Sequence, residues 1–188
     1  MNLEELVKAI DFSIEDCELI IKSNPDAILS EGDFERTLST CISRRIGYIV
    51  ERPNRDSFAV YTQISHYDNI ADKKDAQVDI LLMIPNKIVR DTDLCKRFVY
   101  KSKESVAIEL KYRHDNNASC VTEVKKDIEK ISKYKEDSYY FVIALLDRND
   151  ETQDSQKAII EFYNAKKDEM GEEYRDKFFC KVLTKEVE

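Results

Sequence analysis

The chain is expected to fold as an α/β domain, a central mixed β-sheet flanked by helices, and three stretches carry that expectation. Residues 3–21 repeat apolar side chains at helical spacing (Leu3, Leu6, Val7, Ile10, Ile14, Cys17, Ile21), whereas residues 106–112 form a short apolar strand-like run. Residues 139–146 are continuously apolar, the pattern of a central strand covered on both faces.

The elements follow in order. The first helix stops at Asn24-Pro25, because proline lacks the N–H that would continue it. A second helix opens near Ser30 or Asp33, either of which can cap it, with Phe34, Leu38, Cys41 and Ile42 as its apolar stripe. Residues 48–51, and Phe58 and Val60 with Ile64, suggest one or two short strands. The strand of residues 76–84 follows, and then an irregular stretch, 85–103, with room for a short helix or an extra strand. After the strand at 106–112, Val124, Ile128, Ile131 and Lys135 keep a helical beat, with Ser119 or Thr122 as its cap. The 139–146 strand, a helix over 153–170 ended by Gly171, and a last strand over 178–183 complete the chain.

Within these apolar strands sit charges that burial alone does not explain. Alternation along Val106-Ala107-Ile108-Glu109-Leu110-Lys111-Tyr112 places Glu109 and Lys111 side by side on one face. Asp79 opens a strand otherwise built for burial. Buried charges lose solvation worth several kcal/mol unless they are paired or bind metal, so three on two strands point to a site. The acid-any-lysine pattern recurs at Asp72-Lys73-Lys74 and Glu123-Val124-Lys125, but in loop-like and helical contexts. Strand context singles out Glu109 and Lys111.

With Asp79 thirty residues before Glu109 and a Glu-bearing helix upstream, residues 30–146 resemble the PD-(D/E)xK phosphodiesterase superfamily. The resemblance implies a restriction-endonuclease-like core whose site residues are Glu35, Asp79, Glu109 and Lys111. It also implies a catalytic Mg²⁺ or Mn²⁺ held by Asp79 and Glu109. Val78 stands where the family often has proline. Gly32-Asp33-Phe34-Glu35 is similar to the family's small residue, aromatic and Glu, which favours Glu35 over Glu31, four residues earlier, as the helix ligand. A Glu in a first turn is also expected from the helix dipole alone. Asp127-Ile128-Glu129-Lys130 resembles an acid-and-lysine pattern that such enzymes carry on the following helix.

The implied chemistry suits these residue types. Hard oxygen-ligated cations lower the pKa of an attacking water and neutralise charge on the leaving oxygen. Lys111 would orient or deprotonate that water or neutralise the transition state, and Glu35 would hold a second metal or a water upon it. The function implied is metal-dependent hydrolysis of DNA, with DNA preferred over RNA on the resemblance alone. A homodimer or larger assembly would supply target recognition. The competing expectations are a catalytically silent member that binds nucleic acid or a protein, and an unrelated acidic interaction domain.

Composition fits a single domain: 1–29 as N-terminal helix, 30–146 as the core motifs, 147–188 as a closing helix and strand. At 188 residues and 42% hydrophobic, the chain can bury a sizeable core without staples. No segment reaches transmembrane length and the acidic start Met1-Asn2-Leu3-Glu4-Glu5 does not suit a signal peptide, so no membrane association and a cytoplasmic location are expected. Cysteines at 17, 41, 95, 120 and 180 lack zinc or disulfide spacing and read as buried hydrophobes. His66 and His114 lack metal-ligand spacing, although His114 borders the proposed site. The net charge of −8 disfavours indiscriminate nucleic-acid binding. Two basic clusters are expected near the cleft: Arg44, Arg45, Arg52 and Arg55, and Lys125, Lys126, Lys130, Lys133 and Lys135. No Gly-x-Ser-x-Gly or phosphate-binding Gly-x-x-x-x-Gly-Lys motif is present.

Overall fold

The computed structural model describes residues 1–52, 54–65, 77–92, 98–102, 104–114, 117–132 and 138–185. His66, Asp72-Lys73-Lys74, Cys95, Lys133 and Lys135 lie outside the described residues. Helix α1 (Leu3–Ser23) opens with a reciprocal capping box between Asn2 and Glu5 and ends before Pro25. Helix α2 (Glu31–Ile46) is capped by Ser30, whose hydroxyl accepts from Asp33 N–H at 3.1 Å, while the Asp33 carboxylate accepts from Ser30 and from Leu29 N–H. Of the two cap candidates, Ser30 is therefore the cap and Asp33 braces it. The helix closes on Gly47 at φ 68°, a left-handed position suited to glycine.

Among the described residues the strands are β1 (Ala59–Ser65), β2 (Gln77–Met83), β3 (Val89–Thr92), β4 (Phe98–Lys101), β5 (Ser105–Tyr112), β6 (Tyr139–Leu146) and β7 (Phe178–Thr184). Five form one mixed sheet in the order β1-β2-β5-β6-β7: the first two junctions are antiparallel and the last two parallel. Helix α3 (Asn117–Ser132) connects β5 to β6, and α4 (Thr152–Asp168) with the short α5 (Glu172–Arg175) connects β6 to β7, the crossovers that parallel pairing requires.

Alternation along the strands divides the core into two layers. Val106, Ile108, Leu110 and Tyr112 of β5 pack with the apolar stripes of α1 and α2. Ala107 of β5 and Val142 and Ala144 of β6 pack instead with Cys120, Val124, Ile128 and Ile131 of α3 and with Ile159 of α4. The sheet is thus covered on both faces, which explains the unbroken apolar run of β6. The expected α/β class and the mixed, helix-flanked sheet are both present.

Several boundaries differ from expectation for local reasons. Residues 48–51 form no strand: they follow the left-handed end of α2 at Gly47 and lead into a turn closed by Arg52 N–H on Ile49 O at 3.1 Å. The stretch after Pro85, expected to have room for a short helix or an extra strand, holds a 3-10 turn (Pro85–Lys87) and a separate antiparallel pair of strands, β3 and β4. Ser119 and Thr122 do not cap α3, since the helix already begins at Asn117 and Thr122 donates back to Ala118 O at 3.0 Å within it. Gly171 does not terminate α4, which ends at Asp168; at φ −61° it precedes α5 instead. Among the described residues, no helix is long and apolar enough to cross a membrane.

One buried polar network fixes the approach to the N-terminus of α2. Lys185, just beyond β7, donates at 2.6 Å to both Ile28 O and the Tyr112 hydroxyl and lies 3.5 Å from Asp147 Oδ1. The lysine is only 8% exposed, and its ammonium sits 4.6 Å from the Tyr112 ring centroid. It ties the ends of β5, β6 and β7 to the loop entering α2, and so holds the first turn of that helix over β5.

Candidate active site

The site forms where β2 leaves β5. Their ladder runs from Met83 opposite Ser105 to Ile80 opposite Ile108, and the next rung in that register, Asp79 with Glu109, is not formed. The Asp79 carboxylate instead accepts the Leu110 N–H at 2.6 Å through Oδ2. The strands part, and the acid takes a backbone donor that the ladder no longer occupies.

The same rung is irregular on the other side of β2. The β1-β2 ladder pairs Thr62 with Ile80 and Ile64 with Val78, but omits Gln63 with Asp79. Gln63 is left-handed at φ 53°, a sterically costly conformation for a non-glycine residue. Facing reverses across this rung in both strands. Ile80 packs toward α1 and α2 while Val78 packs toward α3, and Val60 and Ile64 divide in the same way, although simple alternation would keep each pair together.

Gln63 uses this conformation to bridge two of the sequence-derived acids. Its Nε2 donates to Glu35 Oε2 at 2.7 Å and to Asp79 Oδ1 at 3.1 Å. Glu35 of α2 is therefore brought to Asp79 of β2 through an amide. Glu31, one turn earlier, accepts from Tyr112 N–H at 3.3 Å and lies 3.7 Å from Lys111 Nζ. Both helix acids reach the site, Glu35 on the Asp79 side and Glu31 on the lysine side.

Glu109 and Lys111 share the face covered by α3, where two more charges meet them. Lys130 Nζ donates to Glu109 Oε1 at 2.8 Å and lies 3.7 Å from Asp127 Oδ1. Asp127 Oδ2 is buried without a hydrogen bond, and its 3.5 Å separation from Lys111 Nζ makes an ion pair. Asp127 and Lys130 are three apart on one helix face, so a single turn of α3 delivers an acid and a base to the strand pair. In the sequence, Asp127 stands out only through the resemblance on this helix, and Lys130 through that resemblance and as one of the basic cluster expected near the cleft.

The electrostatics follow from burial and from an excess of acid. Glu109 is 4% exposed; desolvation raises its pKa to about 7 despite Lys130, with Asp127 and Asp79 adding to the rise. Desolvation likewise raises Asp127 and Glu31 above ordinary carboxylates, against the lowering effect of Lys111. For Lys111, burial favours the neutral amine, but Asp127, Glu31, Asp79 and Glu109 outweigh it and raise the pKa, so the side chain stays an ammonium. Among the described residues, Glu31, Asp79, Glu109 and Asp127 thus gather around the two ammonium groups of Lys111 and Lys130, and Gln63 links Glu35 to Asp79 at their edge. The neighbouring Arg113 is engaged by Glu123 at 2.8 Å.

An all-oxygen donor set with surplus negative charge fits a hard divalent cation such as Mg²⁺ or Mn²⁺. Among the described residues, no three acidic, His or Cys side chains already converge as a ready ligand group. The carboxylates are instead each engaged by a donor: Glu35 and Asp79 share Gln63, Asp79 also takes Leu110 N–H, and Glu109 takes Lys130.

The remaining candidates lie elsewhere. His114 is exposed at the end of β5, with Nδ1 3.1 Å from both the Tyr112 hydroxyl and Asp147 Oδ2. Arg44 and Arg45 do not border the cleft. They sit in the last turn of α2, roughly 14 Å along its axis from Glu35, and Arg45 pairs with Asp16 of α1. Lys125 lies over the Phe162 ring of α4, so of the described lysines in the second cluster it is Lys130 that pairs within the site.

Compared with protein-family models, with curated proteins and with solved structures, the chain matches none of them.

Proposed function

We propose that this chain is a divalent-metal-dependent nuclease that hydrolyses DNA phosphodiester bonds on a restriction-endonuclease-like core. The observation that supports this reading best is the meeting of Glu35, Asp79, Glu109 and Lys111 at the point where β2 and β5 separate. Structural ion pairs alone do not account for that placement, because replacing buried charges by apolar side chains is commonly neutral or stabilising.

In this reading Asp79 and Glu109 hold the cation, with Glu35 as a further oxygen ligand. When bound, the cation supplies Lewis acidity toward a phosphoryl oxygen and toward the attacking water. Lys111, kept charged by Asp127 and Glu31, presents an N–H donor to a phosphate oxygen or to that water, and of its alternative roles this suits it better than proton removal. Lys130 compensates Glu109 and, with Asp127, fixes the side chain that must turn toward the cation. The acidity of the cleft repels a bare phosphate backbone, which makes the cation a requirement for substrate approach as well as for chemistry.

Supercoiled, linear and single-stranded DNA, with RNA alongside, should be incubated with Mg²⁺ or Mn²⁺ and with EDTA. The expected outcome is cation-dependent cutting of at least one DNA form, abolished by EDTA. Absence of cutting on every substrate, together with absence of metal binding, would move the assignment to a catalytically silent protein that binds nucleic acid or a protein partner.

A further inference from the structure

Resting on the reading of the site as a cation site, we propose that Gln63 is a positioning residue of that site. Its amide holds Glu35 and Asp79 together before the cation arrives, then turns to present Oε1 as an oxygen ligand.

Three observations converge on Gln63. Its Nε2 bridges the two carboxylates at 2.7 and 3.1 Å, so a donor lies between acids that would otherwise repel each other. The residue is left-handed at φ 53°, and its rung with Asp79 is missing from a ladder that resumes with Ile64 and Val78. Among the described residues, the non-glycine residue with a left-handed backbone is the one that spans two candidate ligands, strain of the kind that collects at ligand sites. A glutamine amide also carries a donor and an acceptor at nearly the same reach. Two carboxylates select the NH₂ end, and a cation between them selects the carbonyl end. Rotation about the terminal torsion exchanges one for the other without moving the strand.

The test is calorimetric titration of Mn²⁺ alone into the full chain and into Gln63→Met, Gln63→Gly and Gln63→Glu, with thermal melting to confirm folding. Gln63→Met keeps the side-chain length and adds no backbone strain, whereas glycine accepts φ 53° freely, so at least one amide-free variant retains the conformation. Mn²⁺ affinity should fall about 10- to 100-fold in the methionine and glycine variants. Gln63→Glu, which supplies an oxygen at the same position, should restore it. A merely structural role predicts no such rescue. Wild-type binding with equal or tighter binding by the amide-free variants would overturn the role of Gln63 and leave the cation site standing. Absence of binding to the wild type would overturn both.

Discussion

Replacing Lys111 by alanine is expected to lower the rate of DNA cleavage by about 10²–10³-fold, the usual loss when one positioned donor to developing charge is removed. The ammonium lies 3.5 Å from Asp127 and 3.7 Å from Glu31, on the face of β5 that carries Glu109. Four carboxylates keep it charged although burial opposes the charge, so its loss removes a positive group from the place where negative charge accumulates. Asp127 and Glu31 are then left without that ammonium, and some loss of stability accompanies the loss of rate. Single-turnover kinetics at saturating Mg²⁺ separate the two, because a folded variant with unchanged substrate affinity and a collapsed rate reports chemistry. An unchanged rate in a folded Lys111→Ala protein would remove Lys111 from the reaction.

Glu109→Gln is expected to act in opposite directions on activity and stability. The substitution removes a proposed metal ligand and should abolish cleavage. In the metal-free protein it also removes a charge that the fold desolvates. Burial pushes this carboxyl up to about 7 in the folded chain, against 4.5 for a glutamate in water, so the native chain binds the proton more tightly than the unfolded chain does. Below the unfolded value both states hold the proton and no penalty exists. As pH rises from there to about 7 the unfolded state ionises first and native stability falls, and above 7 the full penalty applies. Glu109→Gln should therefore be more stable than the metal-free wild type by roughly 1–3 kcal/mol at pH 8, with the difference fading toward pH 4.5. Asp127, 3.7 Å from Lys130 in the wild type, remains available to that ammonium in the variant. Denaturant melts at pH 5 and pH 8 in EDTA measure this directly, and a variant less stable than wild type at pH 8 would show that the Glu109–Lys130 pair contributes more than burial costs.

How far the sequence reveals this arrangement depends on how local the information is. The run from Val106 to Tyr112 was legible because two charges interrupt a strand whose remaining residues have no reason to be wet. The first helix was legible from its spacing and its proline stop. Gln63 was not, because its importance comes from pairing register: only when β1 lies against β2 does it fall opposite Asp79. Its left-handed backbone has no signature in a Thr-Gln-Ile stretch that reads as ordinary strand. Asp127 and Lys130 were likewise hidden among surface-like charges, since nothing in a single helix says which face will meet β5. The choice between Glu31 and Glu35 was posed too narrowly, because one helical turn places them on opposite sides of the same site. Residues 85–103 were legible only as room for a short helix or an extra strand, because Val89–Thr92 and Phe98–Lys101 are short and rich in charge and do not announce their pairing.

These residues form an acidic centre whose parts hold one another in place: Gln63 joins Glu35 to Asp79, Leu110 N–H fixes Asp79, and Lys130 fixes Glu109. Asp79 is the member that contacts both sides, so it bears most directly on whether the centre cuts DNA. Wild-type protein and Asp79→Asn, an isosteric change that keeps oxygen and size but removes the charge, should be purified identically and incubated with supercoiled plasmid, with and without Mg²⁺. Nicking or linearisation by the wild type, in Mg²⁺ alone, and none by Asp79→Asn is the expected result; equal cutting by both proteins, or none by a wild type shown to bind the metal, would contradict the nuclease assignment.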